Sequence, residues 1–99
     1  MCNGRYKFVE TYIFFDGRSV LRNFQDEDDN LVTFGFMAKG KYRWLAETTE
    51  NFRIYSGVAS FTIEGKRRLL QSGDEIIVPK DLTFEVEVIE HLDYRCFYD

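Results

Sequence analysis

The chain has 99 residues and a formal net charge of −4, enough for one domain over 1–99 and unfavourable for nucleic acid or anionic membrane surfaces as partners. No stretch reaches the roughly 18 apolar residues of a membrane span, and the opening MCNGRYKFVE has no apolar run of the kind a secretory signal carries. A chain this short buries only about two-thirds of its unfolded surface, and ten Phe, six Tyr and one Trp supply large areas for that burial.

In chain order the segments read as strands. YKFVETYIFF at 6–15 is rich in β-formers. The acidic run QDEDDN at 25–30 separates two strands and reads as a solvated loop, because it lacks the spacing and the glycine of an EF-hand. NLVTFGFMA follows without helix caps. LAETTEN, the longest plausible helix, is short and threonine-rich. FRIYSGVASFTIEGKRRLL breaks at Gly57 and turns at Glu64-Gly65-Lys66. DEIIVP, LTFEVEVIE and DYRCFY complete the chain. Turn signals about every ten residues give an all-β sandwich or barrel.

Phe84-Glu85-Val86-Glu87-Val88 alternates most clearly. Phe84, Val86 and Val88 share one face, and that face is the inside. The same parity expects Phe34, Phe36, Tyr42, Trp44, Tyr94 and Tyr98 to face inward and Arg43, Arg53 and Arg95 to face outward. Arg67 or Arg68 is expected near the barrel mouth. Cys2 and Cys96, at opposite ends of the chain, make neither a disulfide framework nor by themselves a zinc site. They read as reduced thiols of a cytoplasmic protein, Cys96 in the core and Cys2 exposed. His91 reads as a loop bystander.

GDEIIVPKDLTF at 73–84 resembles the second motif of metal-binding cupins, with Phe84 where such cupins place a histidine. GKYRWLAETTENFRIYSG resembles the first, with Glu50 seven residues before Gly57 and no histidine in the segment. One carboxylate cannot hold a zinc or iron ion, since borderline metals favour imidazole or thiolate ligands. The expectation is therefore a single-domain cupin (RmlC-like) double-stranded β-helix, or jelly-roll barrel, with no metal cofactor.

A narrower resemblance covers roughly 12–98. GKYRW, Glu50, YSG at 55–57, SGDEIIVP at 72–79, Phe84, the ending DYRCFY and FFDG at 14–17 are together similar to the small cupins of the pyrimidine/purine nucleoside phosphorylase family. Lys39, Ala46 and Lys80 depart from that family's pattern. The resemblance implies phosphorolysis, in which a nucleoside and phosphate give free base and ribose 1-phosphate. It implies Glu50 as the catalytic group, with Tyr42, Trp44, Phe84, Tyr94 and Tyr98 binding substrate, and nucleoside and phosphate as small-molecule partners. Glu50, inward among Phe52 and Ile54, either anchors ribose or base or makes a structural hydrogen bond to Tyr42 or a backbone amide. The alternative function is a small-ligand-binding or dimerising cupin without catalysis. A homodimer is expected through the edge strand YKFVETYIFF, because unpaired edges are removed by symmetric pairing.

Overall fold

Long strands shared between two sheets organise the molecule. The computed structural model describes residues 6–98, and Cys2 lies outside them. It contains β1 (Lys7–Phe14), β2 (Ser19–Gln25), β3 (Leu31–Met37), β4 (Gly40–Leu45), β5 (Glu50–Ile63), β6 (Lys66–Gln71), β7 (Glu75–Val78) and β8 (Thr83–Tyr98). Among the described residues there is no helix, and LAETTEN forms the end of β4, a turn and the start of β5. All pairings are antiparallel.

β5 and β8 pair along nearly their whole lengths but change neighbours midway. The first half of β5 pairs β7, and the second half pairs β6. The first half of β8 pairs β4, and the second half pairs β3. One sheet is thus β1-β2-β3, the second half of β8, the first half of β5, and β7. The other is β4, the first half of β8, the second half of β5, and β6. Their inner faces enclose the core, the arrangement of a jelly roll.

The change of sheet needs a glycine. Gly57 has φ +97, and a Cβ there would stand 2.1 Å from the backbone oxygen of His91. β5 and β8 therefore cross in contact, and the register shifts on both sides of Gly57. A bulged crossing of this kind bends a strand from one sheet into the next.

The alternation seen in the sequence holds on β8, where Phe84, Val86, Val88, Leu92, Tyr94 and Cys96 are all buried. The core also takes Tyr42, Phe52, Ile54, Phe61, Leu70, Ile76 and Val78. Two expectations are corrected. On β3 the inward parity is odd: Thr33 and Met37 are buried, whereas Phe34 and Phe36 are half-buried on the other face. Phe34 lies directly opposite Arg95 and Phe36 opposite Asp93, and opposed residues share a face. His91 is in a strand, with its Nδ1 accepting the Lys39 backbone N–H at 2.9 Å. Of the two β6 arginines, Arg67 lies on the outer face, 3.8 Å from Glu87, and Arg68 is exposed, directly opposite the buried Phe61 in the strand register.

The other arginines point outward as parity requires. Arg53 lies over the Phe97 ring and beside Glu75, and Arg95 sits between Phe34 and Tyr55. The acidic loop closes on itself: Asp26 Oδ1 accepts the backbone N–H groups of Asp28 and Asn30 at 2.9 Å each. These bonds favour its ionised form and hold its pKa below the usual carboxylate range.

Candidate active site

The interior opens at one end into a cavity of about 50 Å³ lined by Leu21, Thr33, Trp44, Leu45, Glu50, Phe52, Phe84, Tyr94, Cys96 and Tyr98. One wall belongs to the first sheet. There Glu50 lies directly opposite Tyr98, and Phe52 opposite Cys96. The facing wall belongs to the second sheet, where Trp44 lies opposite Phe84. Five of the six residues expected at a site therefore meet: Glu50, Trp44, Phe84, Tyr94 and Tyr98.

Tyr42 is apart from them. It shares the Trp44 face, and the two rings stack at 6.4 Å with planes 10° apart. Its hydroxyl donates to the backbone oxygen of Ala38 at 2.6 Å and also lies 3.2 Å from that of Arg18. It is thus tied to the loop between β3 and β4 rather than to Glu50.

Glu50 is half-buried and, among the described residues, has no hydrogen bond that would favour its charged form. Loss of water, with the neighbouring Glu47 charge adding, pushes its pKa up to about 7. At neutral pH it is thus balanced between carboxylic acid and carboxylate, where a group can exchange protons in either direction. The other ionisable groups of the lining are held neutral: burial raises the pKa of Tyr94, Cys96 and Tyr98. Cys96 is the buried core thiol expected of it.

Phe84 fills the interior where a metal-binding cupin has an imidazole. It stacks on Phe61 at 6.2 Å with planes 7° apart, and meets Phe52 edge-on. Among the described residues no three His, Cys, Asp or Glu side chains gather as a metal site would need. The lining offers one carboxylate and one protonated thiol, and this donor set does not fit a transition metal.

Trp44 packs edge-on against Phe14 and Phe15 at 5.6 and 5.3 Å. Its indole nitrogen Nε1 is buried without a hydrogen-bond partner among the described residues. A buried, unpaired N–H costs about 1–3 kcal/mol, so this donor is the lining atom most in need of an acceptor.

The sequence does not reveal Thr33 as part of the lining, because the large rings of Phe34 and Phe36 point to the opposite parity on β3. Gly35 was the signal. A Cβ there would fall within 2.2 Å of the Tyr94 ring, so a residue without a side chain marks the face that meets a large ring. Read with Gly35 inside, Thr33 and Met37 follow.

A larger cleft of about 560 Å³ lies elsewhere, lined by Phe15, Arg18, Tyr42, Arg67 and outward residues of β4, β5 and β8. Its charges are arranged in rows: Lys41 faces Glu87, and Arg43 faces Glu85. The carboxylates occupy the middle strand and form a cross-strand ladder with these two cations, while Arg18 and Arg67 add two further cations to the lining.

Comparison with known proteins agrees with this description. A protein of unknown function from Acinetobacter sp. ADP1 superposes with a TM-score of 0.90 at 22% identity over 97% of this chain and 96% of its own. The cupin domain of Schizosaccharomyces pombe Cnp3 superposes at 0.67 with 16% identity, over 92% of this chain and 69% of its own. These likenesses define an all-β cupin fold. The family described as pyrimidine/purine nucleoside phosphorylase matches residues 9–98, and the chain belongs to it. Relatives of that name include one from Paraburkholderia xenovorans, 26% identical over 87% of this chain and 83% of its own. Another, from Wolinella succinogenes, is 30% identical over 86% and 83%.

Proposed function

We propose that the chain is a metal-independent nucleoside phosphorylase, a glycosyl-transferring enzyme, with Glu50 as its acid. The observation that carries this reading is a carboxyl group poised near pH 7 in an aromatic cavity. Breaking the glycosidic bond sends its electron pair to the base nitrogen and builds positive charge on the sugar. Phosphate oxygen then bonds to the sugar carbon. Glu50 gives its proton to the departing base and regains one from monohydrogen phosphate or water, so the products are neutral base and ribose 1-phosphate. Trp44, at the mouth, offers a stacking face, and Phe84, Tyr94 and Tyr98 close the interior against water. A site enclosing a ligand of this size occupies about 300–1,000 Å³, so the nucleoside binds at the mouth and displaces side chains there. Tyr42 supports this wall through its stack on Trp44.

Phosphate needs N–H groups or cations, and among the described residues the cavity lining supplies no cation. Backbone amides at the mouth or a second copy of the chain must provide them. The working form in this reading is a cytoplasmic homodimer joined through β1, which among the described residues pairs only β2 and has all eight residues exposed. The lack of a lining cation also favours a second reading, a cupin that binds a small ligand without chemistry.

The two separate in one assay. Purified protein given uridine, inosine or adenosine should release base and form ribose 1-phosphate only when phosphate is present. Glu50→Gln should slow this about 100-fold or more. Binding of nucleosides with no base released under any condition would leave the second reading.

A further inference from the structure

A chain of three side chains ends at the Glu50 cavity. Asn23 and Thr33 are opposed on β2 and β3. Thr33 is fully buried, and its Oγ1 lies 2.6 Å from Asn23 Oδ1 and 2.6 Å from the Tyr98 hydroxyl. A threonine hydroxyl has one proton. Given to Asn23, it leaves only lone pairs toward Tyr98, so Tyr98 is the donor in the second bond. The phenol proton therefore points at Thr33 and away from Glu50, although Tyr98 and Glu50 are directly opposed on neighbouring strands. Toward the cavity, where the Cys96 thiol is also within hydrogen-bond reach, Tyr98 presents a lone pair. A lone pair can accept from a carboxylic acid and repels a carboxylate.

We propose that Thr33 is a positioning residue for Glu50: by taking the Tyr98 proton, it fixes Tyr98 as an acceptor toward the cavity and keeps Glu50 in its proton-donating form. The role rests on Glu50 being the acid of the reaction proposed above. The other ionisable groups facing Glu50 are Glu47 from the preceding turn and Tyr94 and Cys96 from β8. From β2, β3 and β4 the cavity takes Leu21, Thr33, Trp44 and Leu45, and the β7 residue opposite Glu50 is Val78. None of these ionises in the working pH range.

The test is the titration of the Glu50 carboxyl, followed by carbon NMR on the full chain, with no catalysis required. Thr33→Val removes the hydroxyl at nearly constant shape and frees the phenol to donate to the carboxylate. The Glu50 midpoint should then fall by about one pH unit, a roughly tenfold change in the ratio of protonated to ionised form. Thr33→Ser should restore the wild-type midpoint, and Asn23→Asp, still an acceptor, should keep Tyr98 as donor to Thr33. Tyr98→Phe combined with Thr33→Val should remove the fall. If Thr33→Val does not fold, half-buried Asn23→Leu asks the same question, because Thr33 is then free to donate to Tyr98 and the phenol to donate to Glu50. A folded Thr33→Val, or failing that Asn23→Leu, with an unmoved midpoint would overturn the proposal. Because the readout is titration, a wild type that releases no base would end the phosphorylase reading without deciding this one.

Discussion

A carboxyl group among aromatic rings is more stable with its proton than without it, and at Glu50 this has a measurable sign. Its folded pKa lies above its unfolded value of 4.5, at about 7, so the folded chain binds the extra proton between those limits. Stability should therefore fall as pH rises from about 4.5 to about 7 and stay level above that, as far as this group is concerned. Glu50→Gln should flatten that slope. Above pH 7 it should be more stable than wild type by about 1–2 kcal/mol, a figure reduced for the part of the carboxylate that water still screens. Melting curves across pH 4 to 8 check this; a mutant that melts lower than wild type at pH 8 would contradict it. Trp44 gives a second residue-scale prediction. As the only tryptophan of the chain, it should lose fluorescence when a base stacks on it. Emission unchanged by nucleosides at millimolar levels would remove Trp44 from the binding surface. Both residues were legible in the sequence, because β4 and the first half of β8 alternate without interruption and Glu50 keeps a fixed distance from Gly57. The separation of Tyr42 from the cavity was not, since parity places a ring on a face but does not say which backbone oxygen its hydroxyl finds.

At the scale of elements, glycines decide what hydrophobicity leaves ambiguous. β3 carries apolar residues on both faces, so Phe34 and Phe36 competed with Thr33 and Met37 for the inside. The larger rings lost because Tyr94 needs the space above Gly35. On the outer face Phe34 instead packs with Tyr6, Phe24 and the Arg95 guanidinium. Gly35→Ala should push the Tyr94 ring toward the cavity and lower the melting temperature. Gly57 is more demanding, because its obstacle is backbone. Gly57→Ala should destabilise by about 3 kcal/mol or more, from the positive φ and the contact with His91 together. Denaturant unfolding measures it, and a loss under about 1 kcal/mol, the cost of an ordinary substitution, would mean the strands do not cross as described. The sequence marked the break at Gly57 but not the continuity of β8 through His91, because charged and polar residues at Glu90, His91 and Asp93 look like a loop when their strand partners are unknown.

For the whole molecule, the fold was legible and the assembly is the open dimension. Strand-and-turn rhythm gives a barrel, and the spacing of Gly40, Glu50, Gly57, Gly73 and Phe84 resembles one kind of barrel. β1 is different in character from the rest. Phe8, Val9, Tyr12, Ile13 and Phe14 are all exposed along it, and a long apolar edge of this kind invites pairing with another chain. Sedimentation at micromolar concentration should give a particle of twice the 11.8 kDa chain mass, and Ile13→Lys should shift it toward the monomer. A wild type that sediments as a monomer would end the dimer proposal. The account as a whole turns on Glu50 working as an acid in phosphorolysis. Its most direct measurement is the pH dependence of base release from uridine at saturating phosphate. The account predicts a kcat that falls as pH rises through about 7 and a Glu50→Gln variant slower by about 100-fold or more with no such fall. A rate level from pH 6 to 8, or a Glu50→Gln variant as fast as wild type, would contradict it.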